Sequence, residues 1–194
     1  MRRTLCLCLI PLLFVVVGCA HRIEITPALD ALAVSGASKI DKNVGYYISP
    51  ENLAKEVETP GGGGDKVKYA PYKESEPALK QVLSNAFREV YALPSPGDAE
   101  FIASKSISYV FVPTITTDSS SRSPWIWPPS DFTVSLDCRA TDGSSRVVWE
   151  TSVREEAHER LPDVYRDHAR AGKVALQNAF LELQARILKA VEFR

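Results

Sequence analysis

Cys19 is the residue whose type and position point most clearly to chemistry. It directly follows Gly18, a small residue, at the end of an apolar run from Leu5 to Val17, and Arg2 and Arg3 precede that run. A basic n-region, an apolar h-region and a small residue before the cut describe a secretory signal. The run is too short for a transmembrane helix, which needs about 17–25 apolar residues. The sequence therefore predicts an exported protein with a cysteine directly after the cleavage position.

The four residues Val16-Val17-Gly18-Cys19 resemble the lipobox of bacterial lipoproteins. In that family the cysteine thiol receives a diacylglyceryl group, cleavage falls before the cysteine, and its new amino group is acylated, for example with palmitate. More than one acyl chain gives stable membrane anchoring. The resemblance implies a signal peptide at residues 1–18 and a lipid anchor on Cys19 in the cell envelope. The alternative is a signal without lipid that happens to end near a cysteine.

The residue after the cysteine bears on which membrane would hold the protein. In the lipoproteins that this sequence resembles, aspartate at this position tends to retain the protein at the inner membrane. Ala20 occupies the position in this chain. For a cell with two membranes, the resemblance therefore implies the periplasmic face of the outer membrane rather than the inner membrane.

Composition and cysteine count describe one ordinary domain. Without residues 1–18, 21 basic and 24 acidic side chains remain, a formal charge of −3, which gives no reason to propose nucleic acid as a partner. Cys6 and Cys8 would leave with the signal and Cys19 would carry lipid. Only Cys138 remains, so no intramolecular disulfide can form. Because Cys138 lies on the apolar face of a predicted strand, we expect a buried thiol rather than pairing between molecules.

The elements that must position these residues indicate an α+β fold. Strands are predicted from β-branched, aromatic or alternating residues at 44–48, 55–59, 66–70, 107–117, 132–139 and 146–156. Two amphipathic helices are predicted, one starting at Ser75 and ending before Pro94, and one carrying the apolar stripe from Leu176 to Val191. We expect a mainly antiparallel sheet with two long amphipathic helices packed on one face. Residues 19–42 are predicted to be a lipidated tether, followed by a single domain at 43–194.

This order of elements resembles small envelope-assembly lipoproteins, including the accessory lipoproteins of lipopolysaccharide and curli export. Beyond the lipobox the resemblance is architectural and covers most of the chain, so no functional residues are carried over. It implies an accessory or assembly role with an envelope protein as partner, although a fold alone does not define a function.

A polar connection between two predicted strands, residues 118–130, has aromatic residues at its tip. Trp125, Ile126 and Trp127 stand there among three prolines, with Arg122 nearby. Rigid aromatic side chains on a loop contribute strongly to protein interfaces or lie at membrane surfaces. Two interpretations remain open: these four residues contact a partner or lipid, or the aromatic side chains fold back and cap the core.

Other residues that could do chemistry match no known site. The glycine run at residues 61–64 lacks the Gly-Lys-Ser/Thr ending of a phosphate loop, since Lys66 follows Asp65. His158 and His168 lie among acidic residues, but their spacing matches no zinc or calcium pattern. We find no nucleophile elbow and no metalloprotease motif, and we expect no metal or cofactor.

Together these observations favour a non-enzymatic, lipid-anchored accessory factor that binds another envelope component. One alternative is a membrane-tethered periplasmic carrier of a small ligand, or an enzyme, which a deep apolar pocket between sheet and helices would support. Another is a structural lipoprotein that self-assembles.

Overall fold

The computed structural model of the protein describes residues 19–33 and 38–194. The predicted signal peptide, residues 1–18, lies outside the described residues, so the lipobox positions before Cys19 rest on sequence alone.

Eight strands and five helices follow one another along the described residues. The strands are β1 (Ala20–Arg22), β2 (Ile40–Tyr46), β3 (Val57–Pro60), β4 (Lys66–Tyr69), β5 (Phe87–Ala92), β6 (Ile107–Ser120), β7 (Asp131–Thr141) and β8 (Val147–His158). The helices are α1 (Pro50–Ala54), α2 (Pro71–Ala86), α3 (Ala99–Ser104), α4 (Leu161–Arg166) and α5 (Arg170–Lys189).

A five-stranded sheet in the order β5-β2-β6-β7-β8 forms the centre of the fold, and a smaller sheet has the order β1-β4-β3. β6, β7 and β8 are a long antiparallel meander, whereas β2 pairs in parallel with both β5 and β6. The predicted α+β class is confirmed. The sequence patterns did not reveal the parallel half of the large sheet.

The main core lies between the large sheet and helices α2 and α5, which pack on one face as predicted. Along β7, Phe132, Val134, Leu136 and Cys138 are buried, and the residues between them face away from the core. Burying one such side chain contributes roughly 1.5–3 kcal/mol. The alternation therefore fixes which face of the sheet receives the helices.

The first long helix differs from its prediction at both ends. It begins at Pro71, where the missing N–H of proline at the first position costs no hydrogen bond, and Ser75, the predicted N-cap, is buried inside it. It ends at Ala86, because the following residues pair with β2 as strand β5. Val90, predicted as part of the helical stripe, therefore lies in a strand. Strand pairing in the fold overrides the continued helical spacing.

The predicted tether, residues 19–42, also differs from the structure. β1 pairs in parallel with β4, and Ile25 and Leu32 are fully buried in the core. β2 already begins at Ile40. Residues 20–32 are therefore part of the domain, and the predicted boundary at residue 43 does not hold. The reason is that burying the apolar side chains of this segment is favourable in free energy, whereas a solvated linker would leave them in water.

Gly172, in the first turn of α5, permits this packing. A Cβ at this position would lie 2.4 Å from Cγ2 of Ile25 and 3.2 Å from Cε2 of Phe132. The glycine thus lets the segment after β1 approach the helix closely.

We predict that Gly172→Ala destabilises the protein by about 1–3 kcal/mol, as other overpacked cores do, although alanine favours an isolated helix by up to about 1 kcal/mol. Urea unfolding would measure the change. Gly143→Ala is the control, since a Cβ there meets nothing within 4 Å, and its effect should stay within about 0.5 kcal/mol. A Gly172→Ala variant as stable as the wild type would contradict the packing of Ile25 on α5.

Candidate functional site

Cys19 is exposed and lies immediately before β1. Its backbone carbonyl accepts a hydrogen bond from the N–H of Lys66 at 3.0 Å, and Ala20 is in register with Lys66 in the small sheet. The cysteine is therefore attached to ordered backbone, with its side chain accessible and no flexible segment between it and the fold.

The connection between β6 and β7, residues 121–130, is the aromatic loop predicted from sequence, and its two tryptophans differ in environment. The Trp125 side chain is 87% exposed. Trp127 packs against the core, with its ring stacked on His21 at 4.0 Å between centroids and in edge contact with His168 at 4.6 Å. Each tryptophan thus fits a different one of the two interpretations. Trp127 covers the core, whereas Trp125 faces outward, where it can contact a partner or lipid.

The glycine run lies directly under this loop. The N–H of Gly63 donates to the carbonyl of Pro124 at 2.6 Å. A Cβ on Gly62, which is buried, would lie 2.1 Å from the carbonyl oxygen of Ile126. Glycine is therefore required here by close backbone contact. β3 and β4, the strands predicted at residues 55–59 and 66–70, pair as an antiparallel hairpin, and the tip of this hairpin packs against the aromatic loop.

These contacts bring three separate segments together, and we call Cys19, residues 61–64 and residues 121–130 the anchor end. Cys19 is two residues from His21, and Trp125 is two residues from the Trp127 ring on which His21 stacks. The sequence singled out Cys19 and the aromatic loop separately. It missed that they are neighbours, because no short-range pattern links residues a hundred positions apart.

Arg122, predicted to contact a partner or lipid, is exposed and braces the base of the loop. Its guanidinium lies 2.8 Å from the Asp131 carboxylate, which also accepts hydrogen bonds from Ser130 Oγ at 2.7 Å and from His158 Nδ1 at 2.5 Å. Burial alone would raise the pKa of Asp131, but these hydrogen bonds and the arginine charge outweigh it and hold that pKa below its ordinary value.

The histidines and the second cysteine, which the sequence offered as possible reactive groups, are held in contacts that stabilise the fold. His158 bonds to Asp131 and His168 contacts Trp127. The described residues contain no group of three or more His, Cys, Asp or Glu side chains placed to hold a metal ion. Cys138 is buried as predicted, and burial raises the pKa of its thiol to about 12. Within the described part of the chain, no helix is long and apolar enough to cross a membrane.

The two tryptophans should respond differently to truncation. Trp127→Ala should lower the free energy of unfolding by about 1–3 kcal/mol, somewhat less than a fully buried tryptophan would cost, because it removes the stack that holds β1 and the loop together. Trp125→Ala should change it by no more than about 0.5 kcal/mol. Chemical denaturation of both variants would measure this, and equal losses would show that both side chains support the core.

Asp131 should make stability depend on pH. Its folded-state pKa lies below its unfolded value, so the ionised carboxylate contributes stability above about pH 4 that is lost as pH falls through the folded pKa. Asp131→Asn should therefore be less stable than the wild type at neutral pH and approach it in acid. Urea midpoints measured across this range would show the convergence, with Asp30→Asn as the control for an exposed aspartate outside the loop. A constant difference at all pH values would contradict this role.

No protein-family model matches the chain, and no curated protein matches it. Among solved structures, protein XCC0632 of Xanthomonas campestris, assigned to family DUF330, is similar with a TM-score of 0.53 at 12% identity, covering 87% of this chain and 94% of that one. A PelC dodecamer from Paraburkholderia phytofirmans gives a TM-score of 0.43 at 14% identity, over 77% of this chain and 91% of that one. Of these two structures, the Xanthomonas protein has a TM-score above 0.5, and at 12% identity its likeness to this chain shows a shared fold.

Proposed function

We propose that this protein is a lipid-anchored protein of the bacterial cell envelope, acylated on Cys19, that acts as a non-enzymatic accessory factor for another envelope component. The observation that carries the proposal is the position of Cys19. It is exposed, it follows the lipobox-like residues, and every described strand and helix comes after it. Cleavage before Cys19 would therefore leave the described fold intact and give it a lipid at one end.

The local chemistry supports a role without catalysis. Ser130, Asp131 and His158 are the residue types of a hydrolase triad, yet His158 bonds to the carboxylate and not to the serine hydroxyl. The Ser130 hydroxyl itself donates to Asp131. The group that accepts this hydrogen bond is a carboxylate whose pKa lies below its ordinary value, and such a carboxylate is a weak base. The arrangement therefore braces the loop and does not activate a nucleophile.

The packing of the core supports an accessory protein over a carrier of small ligands. The space between sheet and helices, where a carrier would need a deep apolar pocket, is occupied by large side chains. Phe132, Phe180, Leu136, Leu176 and Leu183 are all buried there.

Acylation is tested by expressing the full chain in a bacterium supplied with a palmitate analogue that can be detected after gel electrophoresis. Wild type should take up the analogue and fractionate with membranes, and Cys19→Ser should lose both properties. Cys138→Ala is the matched control, because its thiol is buried, and it should remain labelled. Labelling that survives Cys19→Ser would overturn the proposal.

Sorting between the membranes is tested at the next residue. In a host with two membranes, Ala20→Asp should move the acylated protein from the outer-membrane fraction to the inner-membrane fraction on a density gradient. Ala20→Ser, which introduces a polar side chain without charge, should leave it in place. Identical distributions of wild type and Ala20→Asp would remove the support for an outer-membrane location.

A further inference from the structure

We infer that the anchor end is seated directly on the bilayer that holds the acyl chains, with Trp125 in the headgroup region and two side chains of α4, Leu161 and Tyr165, beside it. This inference rests on the proposed acylation of Cys19 and goes beyond it, because a lipid anchor alone does not fix how a domain is oriented.

No linker separates the proposed lipid from the fold. The acylated side chain would lie at the membrane interface, and the next residue, Ala20, already pairs with Lys66 in β1. One residue spans at most about 3.8 Å. The carbonyl of Cys19 is itself hydrogen-bonded to Lys66. The small sheet and the loop stacked on it must therefore lie against the bilayer.

The residues exposed at this end are of types that suit a membrane interface. Within the described residues, the large hydrophobic side chains that are exposed include two aromatic ones, Trp125 at 87% and Tyr165 at 57%. Tyr165 lies three residues before His168, which contacts Trp127, so both exposed rings belong to the same end of the molecule. Tryptophan and tyrosine are enriched at membrane–water interfaces, because each ring has an apolar body and a polar tip.

α4 continues this surface from the loop. Leu161, its first residue, is 37% exposed and lines an open cavity of about 470 Å³ together with Pro162, Arg122 and Ser123. The cavity joins the aromatic loop to α4. Its walls thus offer apolar side chains beside an arginine, the combination that suits the boundary between acyl chains and lipid headgroups.

Charge contributes less to this contact than the aromatic residues. Arg122, Arg160 and Arg166 are exposed at this end. Arg122 pairs with Asp131 and Arg160 with Asp163, which leaves Arg166 of α4 as the one of these three arginines without an ion pair among the described residues. Each pair cancels most of the attraction to anionic lipid. We therefore expect the seating to depend on Trp125 and to change little with salt concentration.

A protein partner on Trp125 is the competing occupant. Such a partner would have to fit between the loop and the bilayer, and the ordered attachment of Cys19 leaves little room for one. The bilayer is favoured because the acyl chains on Cys19 would already hold the neighbouring loop at its surface.

The experiment measures the depth of Trp125 directly. A chain beginning at Cys19 keeps every described strand and helix. It can be coupled through the Cys19 thiol to a maleimide phospholipid in phosphatidylethanolamine–phosphatidylglycerol vesicles, while the buried Cys138 is protected. Brominated acyl chains in the same vesicles should quench tryptophan emission and shift it to the blue, at low and high salt alike. Trp125→Phe should remove most of this quenching.

The control moves the exposed indole to the opposite end. Val191 is 75% exposed, and the carbonyl of neighbouring Glu192 accepts from the Tyr109 hydroxyl at 3.0 Å, near the start of β6. The 14 residues of β6 place that end roughly 40 Å from the loop. Val191→Trp in the Trp125→Phe background should therefore add no quenching by brominated lipid beyond what Trp125→Phe alone retains.

Two outcomes would overturn the inference. In one, Trp125 of the coupled protein is not quenched. Because the coupling is chemical, this result would leave the proposed acylation in cells untouched. In the other, a photo-reactive residue at Trp125 in cells forms an adduct with one protein and none with phospholipid, which would make the loop a protein-docking site. A phospholipid adduct supports the inference.

Discussion

The arrangement of the anchor end depends on Trp127, whose ring stacks on His21 and meets His168 edge-on. β1 has only three residues, and so short a strand is marginal by itself. The stack on His21 adds a second attachment, worth about 0.5–1.5 kcal/mol for a well-placed aromatic pair, and joins β1 to the β6–β7 connection. The edge contact with His168 extends this attachment to the turn between α4 and α5. Together with the pairing of β1 and β4 and the hydrogen bond from Gly63 to Pro124, the stack defines the position of Cys19 relative to Trp125.

Glycine provides the complementary constraint on the other side of the loop. The tip of the β3–β4 hairpin fits under the loop because Gly62 has no side chain to meet the carbonyl of Ile126. Within a glycine run that suggests a flexible tip in isolation, Gly61 and Gly62 thus serve close packing in the fold. A glycine run by itself does not distinguish the two cases, since the partner backbone lies about 60 residues away in the chain.

Local patterns predicted the elements that one stretch of sequence determines. The alternation through Phe132 and Cys138 predicted β7, and the helical spacing predicted α5. Elements that depend on distant partners were missed or displaced: β5 pairs with β2, and β1 pairs with β4. The same holds for the candidate site. Its residues could be identified one by one from the sequence, but their proximity arises only from the tertiary fold.

The hydrogen bond between Cys19 and Lys66 would limit how far an acylated protein can reach from the membrane. A domain that is joined to its lipid by a flexible linker can move through a volume that grows with the length of the linker. An acylated Cys19 would instead hold the long strands β6, β7 and β8 at a nearly fixed height, free to diffuse in the plane of the membrane and to spin about its normal. Any component it serves must then present itself within about one domain length, roughly 40 Å, of the lipid surface.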